Sequence, residues 1–109
     1  MADTAKMTPL EREFHQNCLE GSETLRKECG YNPTYFLRMV HEHGGVEAVR
    51  RLLKSENFQA GLTTLWELKR LDDSIEAAVL HKKWAPLFTE AEKKTALKRL
   101  EAMDWKKPR

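Results

Sequence analysis

Residues 30–53 read GYNPTYFLRMVHEHGGVEAVRRLL, and this stretch decides the fold. Gly30 is a natural helix stop, because glycine accepts the left-handed backbone in which helices often end. Asn32 and Pro33 then read as a cap and a first helical position. Tyr35, Phe36, Met39 and Val40 recur at helical spacing, so a helix is expected to run to about His43 with that face inward. Gly44-Gly45 stops it. A third helix follows from Val46 to Leu53, with Val46, Val49, Leu52 and Leu53 on one side.

The same grammar extends in both directions. Upstream, Thr8-Pro9-Leu10-Glu11 is a helix start: threonine caps, proline suits the first turn and glutamate completes a capping box. Leu10, Phe14, Cys18, Leu25 and Cys29 make one apolar stripe, with Gly21-Ser22 as a candidate bend. Residues 1–7 are expected to be a disordered leader. Downstream, residues 55–62 read as a loop, with Thr63 or Thr64 capping a helix that carries Leu65, Trp66, Leu68 and Leu71 inward. Asp72-Asp73-Ser74 separates it from a helix with Ile75, Val79 and Leu80 inward and Trp84 a further candidate for that face, which Pro86 stops. Thr89 and Glu92 form a second capping box, opening a helix to about Met103. Residues 105–109 form a basic tail. No period-two alternation or hairpin dipeptide competes with this reading. The expectation is an all-α fold: one compact single-domain bundle of five or six short helices over residues 8–104.

Composition narrows the function classes. A chain of 109 residues suits one domain. No apolar run approaches the ~18 residues of a membrane span, and the first residues carry no secretory signal pattern. Two cysteines without a signal peptide point to reduced thiols and a cytoplasmic protein. Net charge is only +2, yet residues 81–109 carry nine Lys/Arg against four Asp/Glu.

Candidate chemistry is sparse. His15 and Cys18 share a helix face, and Cys29, His41 and His43 are the residues that could approach them. None has the tight knuckle or His-Glu-x-x-His spacing of zinc sites, so no metal or cofactor is expected. Neither cysteine has a nucleophile motif, Gly44-Gly45 is no phosphate loop, and Glu11 and Glu92 serve capping boxes. No catalytic residue is assigned, and no small-molecule substrate is expected.

The segments ECGYNPTYFLRMVHEHGGVEAVRRLL, GLTTLWELKRLDDSIEAAVL and WAPLFTEAEKKTALKRL resemble a group of short bacterial proteins and C-terminal modules. The shared words are Gly30-Tyr31, Phe36-Leu37-x-Met39-Val40, the glycine stop, Leu52-Leu53, Leu65-Trp66-Glu67 and Leu87-Phe88-Thr89-x-x-Glu92. The resemblance spans roughly residues 10–102 and implies a helical module without an assigned reaction. Similar modules are fused to larger enzymes, including nuclease-like ones, which implies an accessory role.

Two binding classes remain. A protein partner or a second copy would be met by tryptophan anchors, since Trp, Tyr and Arg dominate interface energetics. Trp84 beside Lys83 is expected to be half exposed. Trp105, in the charged tail, is either an exposed anchor or folded back over the bundle. Phe58 and Leu62, in the expected loop, offer a second contact, while Trp66 is expected in the core. The alternative partner is nucleic acid, met by Lys82, Lys83, Lys94, Lys98, Arg99, Lys106 and Lys107 through salt-dependent phosphate contacts. Glu90, Glu92, Glu101 and Asp104 dilute that field.

Overall fold

The structure is a computed structural model, and it describes residues 2–55 and 59–105, with nothing drawn from the side chains of Gln59 and Ala60. Among these residues it is all-α: six α-helices, short 3-10 turns and no strand. The helices are α1 Pro9–Cys29, α2 Thr34–His43, α3 Gly45–Lys54, α4 Gln59–Glu67, α5 Ile75–Leu80 and α6 Glu90–Glu101. No helix among them is long and apolar enough to cross a membrane. The chain forms two compact units, Met1–Leu52 and Leu53–Arg109.

In the first unit, α1 opens on the expected capping box. The Thr8 hydroxyl accepts from the Glu11 amide at 3.2 Å, and the Glu11 carboxylate accepts from the Thr8 amide at 2.8 Å. These bonds hold the Glu11 carboxyl below its ordinary range. α1 runs unbroken through Gly21 and buries Phe14, His15, Cys18, Ser22 and Leu25. Gly30, with φ +72°, ends it, donating its amide to the Arg26 carbonyl at 3.1 Å. α2 begins at Thr34, after Pro33, and Asn32 makes no side-chain cap. It packs along α1 and buries Phe36, Met39 and Val40, while Tyr35 stands in solvent rather than inward. Gly44, at φ +88°, ends α2, and α3 begins on the next residue, with Val46, Ala48, Val49 and Leu52 in the core.

Residues 2–7 lie against the α2–α3 corner. Thr4–Lys6 form a 3-10 turn capped by the Asp3 carboxylate. The Ala2 amide donates to the His41 carbonyl at 2.7 Å, one of the carbonyls that α2 cannot satisfy within itself. The Met7 side chain lies against Gly44 so closely that a Cβ there would meet its Cε at 2.8 Å.

In the second unit, α4 starts at Gln59, so Thr63 and Thr64 lie inside it rather than capping it. Its buried stripe is Leu62 and Leu65. The Ser74 hydroxyl caps α5 through the Ala77 amide at 3.1 Å. α5 ends at Leu80, and a 3-10 turn Ala85–Leu87 carries Pro86. α6 opens on its own capping box, Thr89 with Glu92, and lies along α5. The core of this unit holds Leu62, Leu65, Val79, Trp84, Phe88, Ala96 and Leu100.

Candidate functional site

Trp66, expected in the core, lies at the surface, and of the two readings of Trp84, inward or half exposed, the inward one holds. Trp84 is 6% exposed, a core residue, with the Lys83 ammonium 4.9 Å from its ring centroid. Helix α5 ends four residues before it, and the following 3-10 turn folds its ring inward. Trp66 is 51% exposed. Leu68 is exposed as well, because the helix stops before it can turn Leu68 back to the core. The stop is a Schellman closure with Lys69 left-handed at φ +60°. The Lys69 amide donates to the Trp66 carbonyl at 3.0 Å and the Arg70 amide to the Leu65 carbonyl at 2.8 Å.

Trp105 is half-buried. Its indole Nε1 donates to Asp72 Oδ1 at 2.7 Å, and its amide closes α6 on the Leu100 carbonyl. Asp72 belongs to the 3-10 turn Leu71–Asp73, which lies against α4. The tail thus returns to the turn that follows Trp66 and Leu68. Leu62 is buried beneath α4, since that segment is helix rather than loop, and is not available to a partner. Phe58 lies outside the described residues.

The basic set also divides. Lys82, Lys83, Lys94 and Lys98 are exposed. Lys93 pairs with Glu90 at 3.2 Å. Arg99 is turned inward: Nη1 reaches Glu76 at 3.3 Å, and Nη2 donates to the carbonyls of Leu53 at 2.9 Å and Ser55 at 2.7 Å. It satisfies an end carbonyl of α3 and faces a carboxylate that is 1% exposed. Burial pushes the Glu76 carboxyl up, and Arg99 opposes that shift. Lys106 and Lys107 lie outside the described residues.

The remaining chemistry-bearing groups are used structurally. Burial pushes the Cys18 thiol up to about 12, so it holds its proton at neutral pH. His15 accepts a hydrogen bond from the Gly45 amide at 3.1 Å. The Cys29 thiol donates to the Leu25 carbonyl. Among the described residues no three of His, Cys, Asp and Glu come together as a metal site. A cleft of about 230 Å³ opens in the first unit between the leader, α1 and the α2–α3 corner. It is lined by Asp3, Lys6, Met7, Glu11, Glu47 and Arg50 among others, and is below the ~300 Å³ at which ligand pockets usually begin.

Nothing in the sequence reading singled out Trp66 and Leu68 as surface residues. Leu62, Leu65 and Trp66 are spaced to share one side of α4, so the sequence carries no signal that Trp66 is exposed. Set against protein-family models, curated proteins and solved structures, the chain finds no match in any of the three.

Proposed function

We propose that this chain is a small non-enzymatic interaction protein that docks on a larger bacterial protein through the end of α4. The observation that carries the reading is Trp66, an indole half in solvent beside the exposed Leu68. A large aromatic that the fold leaves uncovered is the kind of residue that anchors an interface. The return of Trp105 to the neighbouring turn through Asp72 adds a second indole to the same region and supports it. The helical resemblance, whose relatives include fused modules, supports an accessory role and a bacterial host. The two unpaired cysteines fit a reducing compartment.

The test is a tagged pull-down from bacterial lysate, with and without nuclease, using wild type and Trp66→Ala. The reading requires a protein recovered by wild type after nuclease treatment and lost from Trp66→Ala, with helicity unchanged by circular dichroism. Recovery that is equal for both proteins rejects this surface.

A second reading is favoured by the exposure of Lys82, Lys83, Lys94 and Lys98: a nucleic-acid-binding accessory protein. It requires a mobility shift at low salt that weakens steeply toward physiological salt and disappears in Lys94→Glu/Lys98→Glu. A shift retained by that double variant removes the assignment.

A further inference from the structure

A buried polar contact joins the α2–α3 corner to α1. His15 is 9% exposed, and its Nδ1 accepts the Gly45 amide at 3.1 Å. Gly45 is the first residue of α3, so this amide is one of the donors that the helix itself cannot satisfy. A nitrogen that accepts belongs to a neutral ring carrying its proton on Nε2. The approach is tight: a Cβ on Gly45 would lie 2.9 Å from the His15 Cα and 3.2 Å from the Cys18 sulfur.

We propose that His15 is a proton-operated latch, which in its neutral form caps α3 and fastens the α2–α3 corner to α1, and which lets the corner go when Nδ1 takes up a proton. Four effects act in the same direction. A protonated Nδ1 is a donor facing a donor, so the cap is lost. The new charge sits at a helix N-terminus, where the dipole already presents positive charge. The ring is buried, which disfavours its charged form, and His41 on α2 adds repulsion when charged; together these hold the imidazole below its ordinary range. Among the other facing groups, Cys18 on α1 is neutral. Glu11, one turn earlier on α1, is held by Thr8, and Glu47 on α3 is paired with Arg51 at 3.1 Å.

The corner carries more than α3. The leader hangs on it through the Ala2–His41 bond and the Met7–Gly44 contact. Release of the latch therefore also loosens residues 2–7 and opens the cleft beneath them.

The sign follows from proton counting. The closed form resists the proton and the open form takes it with the ordinary value of 6.5. The opening equilibrium is then flat above pH 6.5 and rises by up to about tenfold per pH unit below it, until the closed form also titrates.

Hydrogen exchange at the Gly45 amide, corrected for intrinsic exchange, reads this directly. Wild-type protection should fall by up to about fivefold between pH 6.5 and 5.5. In His15→Asn, whose Oδ1 takes the place of Nδ1 without titrating, protection should be independent of pH. Constant protection in wild type, or the same fall in the variant, overturns the proposal. If the variant does not fold, ¹⁵N titration of the four wild-type imidazoles decides. The latch requires His15 to titrate at the most acid midpoint of the four and the Gly45 amide resonance to follow it. A His15 midpoint among the others, or a Gly45 resonance that ignores it, overturns it.

Discussion

Lys69 and Asp104 each adopt φ +60°, the left-handed region that disfavours a Cβ. Both do so to close a helix: Lys69 ends α4, and Asp104 ends α6 by donating to the Glu101 carbonyl while Trp105 bonds the Leu100 carbonyl. Replacing either with glycine removes that strain, partly offset by the freer unfolded chain. Lys69→Gly and Asp104→Gly should each stabilise by about 0.5–1 kcal/mol, read as a shift of the urea midpoint. Gly45→Ala should do the opposite. Its methyl would meet the α1 backbone at His15, which cannot swing aside, so a loss of about 1–3 kcal/mol is expected in the same experiment. Of these features only Gly30 and the Gly44-Gly45 pair were legible in the sequence. Lysine carries no local mark of a left-handed turn, aspartate only a weak one, and the partner of Gly45 is thirty residues away.

Helix starts were the most legible elements, because a capping box is closed by residues three apart. Thr8 with Glu11 and Thr89 with Glu92 both form as their spacing implies. Thr89→Ala should cost about 1 kcal/mol by thermal or urea unfolding. The faces of the later helices were less legible, since inside and outside depend on where a helix stops. α4 starts earlier than its threonines suggest, stops before Leu68 and leaves Trp66 outward; α5 stops early, which lets Trp84 turn in. Ends closed from a distance were not legible at all, and Arg99 is the clearest case. Arg99→Met leaves Glu76 buried without its partner and should cost on the order of 3 kcal/mol. Adding Glu76→Leu should recover much of that loss, so the double variant is expected to be more stable than Arg99→Met alone.

At the scale of the molecule, two buried groups respond to acid with opposite signs. The Glu76 carboxyl is raised, so the native state binds its proton first, and lowering the pH toward 4.5 adds stability through this group. The His15 imidazole is lowered, so stability is present above pH 6.5 and is lost as the pH falls below it. The groups lie in different units, and all three tryptophans, Trp66, Trp84 and Trp105, belong to the second unit with Glu76. Urea titrations followed by tryptophan emission and by circular dichroism should therefore respond differently to Glu76→Gln and His15→Asn. Glu76→Gln should steepen the acid loss of stability, and His15→Asn should flatten or reverse it between pH 6.5 and 4.5. The all-α class was legible at this scale from periodicity and punctuation. The two-unit organisation was not, because nothing in the composition changes at residue 52.

Helix α3 is bounded at both ends by side chains remote in sequence: His15 at its first amide, and Arg99 at the Leu53 and Ser55 carbonyls, 30 and 44–46 residues away. That has a kinetic meaning. A short helix whose termini wait on distant groups cannot nucleate on its own, because the chain entropy of two long closures precedes any gain. A peptide of residues 44–55 should stay coil in water. In pulse-labelled refolding, the amides of α1 and α6, which carry their own starts, should become protected before those of α3, so that α3 records the completion of folding rather than its beginning.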